Sequence, residues 1–119
     1  MIIKQRNRKA GGLVQGYHSD SLDRLFDGIL LLRTREECRA FFEDVCTIQE
    51  MRNLAQRLEA ASLLERGVHY QEIAGAVGTS TATISRVSRC LQYGSGGYRT
   101  VLERLREQEE TSCAETSGS

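Results

Sequence analysis

At 119 residues and 13.3 kDa the chain can bury one modest core, and it leaves little room for a deep multi-domain active site. Hydrophobic residues at 39% and charged residues at 27% argue against a disordered chain; the absence of proline and only seven aromatics argue against a sandwich or barrel with Gly/Pro turns. The net charge of zero hides opposed blocks: residues 1–19 hold Lys4, Arg6, Arg8 and Lys9 without an acid, 20–67 sum to −3, 68–102 to +2 and 103–119 to −3. The two basic blocks are where phosphate contacts are to be sought. The longest apolar run, Ile29 to Leu32, is too short to span a membrane, and no apolar h-region follows the basic N-terminus. A cytoplasmic, nucleoid-associated protein is therefore expected.

Residues 1–19 show no periodicity and read as a basic flexible arm. From Asp20 the pattern becomes helical: Leu22, Leu25, Phe26, Ile29 and Leu30 follow the spacing of an amphipathic helix, capped by Ser19, Asp20 or Ser21. Thr34 and Glu37 form a capping box ahead of the stripe Cys38, Phe41, Phe42, Val45 and Cys46. Thr47 and Glu50 form another, opening a long helix through Ile48, Met51, Leu54, Leu58, Ala61 and Leu64 that Gly67 stops. Two shorter helices follow, Tyr70 to Val77 and Ser80 to about Gln92, before Gly94-Ser95-Gly96-Gly97 breaks the chain. A last helix starts at Tyr98, and an acidic disordered tail is expected over residues 109–119. The fold class is all-α with six helices, and residues 20–108 form its helical domain.

Four cysteines, Cys38, Cys46, Cys90 and Cys113, lack metal-ligand spacing and read as buried free thiols, so no metal is expected. His18 and His69 have no nucleophile or third partner beside them in sequence, and the carboxylates lie on polar helix faces. No catalytic residues emerge, and an enzyme is not expected.

The function is written in residues 70–91. Two short helices meeting steeply need a small residue at their contact, a turn residue tolerant of positive φ, and apolar residues facing the body of the protein. Ala74, Gly78 and the set Ile73, Val77, Ile84, Val87 and Leu91 satisfy these demands at helix-turn-helix offsets. The second helix opens with Thr79, Ser80, Thr81, Ala82 and Thr83, whose small hydroxyl- or methyl-bearing side chains can approach phosphates and thymine methyls closely. Arg86 and Arg89 follow, within reach of the backbone or a guanine edge.

The stretch Gly78-Thr79-Ser80-Thr81-Ala82-Thr83-Ile84-Ser85-Arg86 resembles the recognition region of the Trp repressor family. The wider chain resembles its TrpR-like YerC/YecD branch through Phe41-Phe42-Glu43-Asp44, Cys46-Thr47, Leu54-Ala55-Gln56-Arg57-Leu58-Glu59, Arg89-Cys90-Leu91 and Tyr93-Gly94. The resemblance covers roughly Asp20 to Arg106. It implies a Trp-repressor-like intertwined homodimer, a transcriptional regulator (a repressor) whose two helix-turn-helix units bind a near-palindromic operator in double-stranded DNA. The DNA-contacting set expected on this reading is Gln71, Thr79, Ser80, Thr81, Ala82, Thr83, Arg86 and Arg89.

In that family two arginines flank bound tryptophan, and they match Arg57 and Arg86 here, which makes this pair the candidate ligand-binding residues. Glycine follows the second arginine in the Trp repressor, whereas Val87 follows it here, and a β-branched side chain takes space the indole needs. No cofactor is therefore expected, tryptophan included. The alternative is a helical dimeric protein-interaction module with little DNA affinity. Such a surface should be richer in aromatic and methionine anchors than the Ser/Thr/Arg face present here.

Overall fold

A computed structural model describes residues 19–117, with side chains up to Cys113. Apart from Ser19, the basic arm expected over residues 1–19 lies outside the described residues. The described chain is all-α: α1 (Asp20–Leu30), α2 (Arg35–Val45), α3 (Ile48–Glu65), α4 (Tyr70–Ile73) with a widened π turn (Ala74–Gly78), α5 (Thr81–Tyr93) and α6 (Gly97–Ser117). It divides into two compact units at Thr47/Ile48.

The first unit holds α1 and α2. Ser19 caps α1 by accepting the Leu22 N–H at 3.1 Å. Thr34 Oγ1 accepts the Glu37 N–H at 3.0 Å, and Glu37 Oε1 accepts the Arg33 N–H at 2.8 Å, so the expected box closes one residue ahead of the cap. Phe41 and Phe42 meet edge to face with centroids 5.4 Å apart. Neither helix contains a buried residue, although both carry a clear apolar stripe.

The second unit is built on α3. Its C-terminus is a Schellman motif: the Val68 N–H reaches back to Leu63 O at 3.1 Å and the Gly67 N–H to Leu64 O at 3.0 Å. This geometry needs positive φ at Gly67, which is +84°. One core cluster joins Ala60 of α3 to Ile73 and Ile84, with Leu63, Val68, Ala74 and Val77 packed around it. The other joins Ala61 to Val87 and Leu102, with Leu58, Leu91 and Tyr98 around it. Leu64 packs against both clusters. Arg99 Nε donates to Leu91 O at 3.1 Å, so this arginine of the basic block closes the end of α5.

Two expectations change. The tail expected to be disordered from residue 109 is helical through Ser117. Glu107 to Glu110 are good helix formers without a breaker before Gly118, and Thr111 Oγ1 donates to Glu107 O at 3.0 Å. The cysteines are free as expected, yet Cys38 and Cys46 are only half-buried and Cys90 and Cys113 are exposed. Cys38 lies on α2 and Cys46 at its end, and α2, like α1, contains no buried residue; Cys90 lies off the packed side of α5.

Ile84 is completely buried between α3 and α4. Ile84→Ala should therefore lower unfolding stability by about 2–5 kcal/mol in a urea titration, the range for a large-to-small change at a packed site.

Candidate nucleic-acid interface

α4, its π turn and α5 form the helix-turn-helix read from the sequence. Ile73 and Ile84 are wholly buried and Val87 nearly so, while Val77 and Leu91 are half-buried at the margin. The turn differs in detail from a plain two-turn helix: after Ile73 the chain widens into the π turn and leaves it at Gly78, φ +83°. Gln56 of α3 meets it there. Its Nε2 donates a long, shared bond to Val77 O and Gly78 O, each at 3.4 Å. In the sequence Gln56 stands within the Leu54–Glu59 motif. No local signal announces a contact between residues 21 and 22 positions apart.

α5 begins at an exposed cap. Ser80 has extended backbone, its Oγ accepts the Thr83 N–H at 3.1 Å, and it lies 3.1 Å from Thr83 Oγ1, to which it donates. Burying Ile84 and Val87, with Leu91 at the margin, turns the remaining positions outward by helical periodicity. Thr81, Ala82, Arg86 and Arg89 are exposed, as are Ser80 and Gln71 of α4; Thr79 and Thr83 are half-buried. The expected residues thus gather on one helix and its cap, with Gln71 on the helix before it.

The candidate ligand pair sits differently. Arg57 is half-buried on α3, and Arg86 stands on the open side of α5. Burial raises the Tyr98 hydroxyl above the ordinary tyrosine range and the nearby Cys90 thiol adds to this, while the charge of Arg57 opposes it. Val87 is 1% exposed and packs on Ala61 and Leu102, so its methyls belong to the core. A cleft of about 440 Å3 does open between α3, α5 and α6. It is edged by Arg99 and by the Arg106–Glu65 pair at 3.6 Å, and neither Arg57 nor Arg86 borders it.

Comparisons with known proteins identify the family and the fold. The Trp repressor protein family model matches residues 20–106, and the chain belongs to the Trp repressor family, a family of non-enzymatic regulators. A Bacillus subtilis (strain 168) protein, the uncharacterized YerC, is 52% identical over 93 residues, 78% of this chain and 89% of its own. The crystal structure of a TrpR-like protein from Eubacterium eligens is 49% identical with a TM-score of 0.71, covering 73% of this chain and 90% of that one. A Trp-repressor candidate from Staphylococcus aureus is 47% identical with a TM-score of 0.72, covering 75% and 89%. The six helices are therefore a Trp-repressor-like fold. Among the described residues no helix is long and apolar enough to cross a membrane.

The cap gives a test of the local geometry. Ser80→Ala should lower stability by about 0.5–2 kcal/mol, whereas Ser80→Asp, which keeps an acceptor and adds a favourable charge at the helix start, should leave it unchanged or raised. Thermal melting of the two variants beside the parent checks both directions.

Proposed function

We propose that the protein is a sequence-specific DNA-binding transcriptional regulator, acting as a homodimer that places α5 of each protomer in a major groove of a near-palindromic site. Family membership makes a DNA-binding regulator the coarse reading. The observation that carries the finer one is the division of α5 into two faces. Ile84 and Val87 are locked into the core, and Thr81, Ala82, Arg86 and Arg89 stand exposed with no acid anywhere on the helix. The positive end of the helix dipole and the arginines favour phosphate, and small side chains at the first turn permit close approach to base edges.

The dimer is supported by apolar surface that the described residues of the first unit leave open. Leu30 is 80% exposed, Leu31 75%, Val45 56% and Phe26 50%. Apolar residues at such exposure on neighbouring stretches of chain mark an interaction surface, and a two-fold partner of the same sequence is the commonest way to cover one. A symmetric dimer also supplies the two reading helices that a palindromic site requires.

Tryptophan is not part of this proposal. Val87 fills core space beside Arg86, and we infer that Arg86 serves DNA and Arg57 the protein's own electrostatics rather than an indole. Calorimetry with L-tryptophan should show no binding at micromolar concentration and no change in DNA affinity. Stoichiometric binding coupled to tighter DNA binding would reverse this.

The direct test is selection of bound sequences from random duplexes, followed by two variants. Ala82→Glu puts a carboxylate against the duplex and should abolish binding while light scattering still gives a dimer of about 27 kDa, twice the chain mass. Arg86→Ala should weaken binding by about 1–3 kcal/mol per half-site if it reads a base; a phosphate contact would instead lower affinity evenly across sequences and flatten the salt dependence. A folded Ala82→Glu dimer that binds as well as the parent would hand the function to a protein-interaction surface, and a monomer that persists on concentration would end the dimer model.

A further inference from the structure

The exposed chemistry of α5 restricts which bases it can read. Bidentate recognition of adenine takes a carboxamide, and acceptance from cytosine N4 takes a carboxylate. From Thr79 to Leu91 the chain contains neither, and the one carboxamide of α5, Gln92, stands at its opposite end from the first turn. The hydroxyls are also fewer than the sequence suggests. Ser80 spends its proton on Thr83 Oγ1 and accepts the Thr83 N–H, so it is engaged in its own cap, and Thr83 is half-buried beside it. Two side chains of the first turn remain fully presented, Thr81 and Ala82, and each offers a methyl. Further along, the long exposed groups are Arg86 and Arg89, with Gln92 and Tyr93 at the far end of the helix.

We propose that α5 reads thymine through its C5-methyl, with Ala82 and the Thr81 methyl as the specificity-determining contacts, and leaves hydrogen-bonded readout to guanine through the arginines. This inference rests on the DNA-binding reading above and adds the base class to it. An apolar contact in the major groove is specific there because thymine alone among the four bases carries that methyl. Ala82 is also small enough to let the helix approach until the methyls touch, and its own burial against the duplex brings no unsatisfied polar group.

The probe is the duplex recovered by selection, with each thymine replaced in turn by deoxyuridine, which deletes the methyl and leaves every hydrogen-bonding group in place. For the parent protein, affinity should fall on the order of fourfold at each thymine whose methyl is buried, the equivalent of one methyl group removed from apolar contact. Ala82→Gly should bind the thymine duplex more weakly and be indifferent to deoxyuridine at the position that Ala82 faces. Thr81→Ser, which deletes one methyl and keeps the hydroxyl, should lose discrimination at its own position and supplies an independent arm should Ala82→Gly fray the helix start. Equal affinity of the parent for every deoxyuridine duplex would overturn the methyl reading while leaving DNA binding intact. Full discrimination retained by both variants would overturn the assignment to these residues. A protein that selects no duplex at all would overturn the inference together with the reading on which it rests.

Discussion

Two adjacent alanines, Ala60 and Ala61, are the constraint on which the second unit depends. Both are completely buried, and each stands at the centre of one core cluster. A methyl is the largest group that lets another helix lie directly on the α3 backbone, and the alanines present one to each side. Ile73 and Ile84 close on Ala60, and Val87 and Leu102 close on Ala61. With three large apolar side chains of α4 and α5 fixed in this way, the opposite face of α5 has no freedom left. Thr81, Ala82, Arg86 and Arg89 must point away from α3.

Magnitudes show which forces set this arrangement. Full burial of a valine or isoleucine is worth roughly 1.5–3 kcal/mol, whereas a good N-cap is worth about 1 kcal/mol. Packing of Ile73, Ile84 and Val87 therefore decides where α5 lies, and Ser80 decides where it begins. The turn is controlled separately. The π turn from Ala74 to Gly78 leaves carbonyls at its end, and the Gln56 amide takes up those of Val77 and Gly78 through weak, shared bonds. α3 thus supports both the helices and the corner between them.

Much of this was legible because it is local. Helix starts at Ser19, Thr34 and Ser80 follow from side chains three residues ahead of the amides they accept, and the stop at Gly67 follows from a glycine after an apolar run. The burial of Ile73, Ile84 and Val87 follows from their period, and with it the outward face that holds the candidate site. What escaped has a different character. The π turn is one residue's difference in hydrogen bonding and has no compositional mark. The Gln56 contact bridges distant sequence positions. The helical continuation of α6 past residue 109 was hidden because Ser, Thr and Glu serve a frayed tail and a solvated helix equally well. Burial of Cys38 and Cys46 would follow from their apolar stripe only where neighbouring elements cover it, and among the described residues nothing buries the stripes of α1 and α2.

On the proposed reading, that uncovered surface joins protomers and the exposed face of α5 meets DNA. The central claim is that α5 is the reading surface. Backbone amide shifts followed by NMR while the protein is titrated with its selected duplex test this most directly. The account predicts the largest changes at Thr79 to Arg89 and around Gln71, with the amides of the buried α3 segment at Ala60 and Ala61 little moved. Saturable binding that leaves Thr79 to Arg89 unchanged and shifts another surface would contradict it.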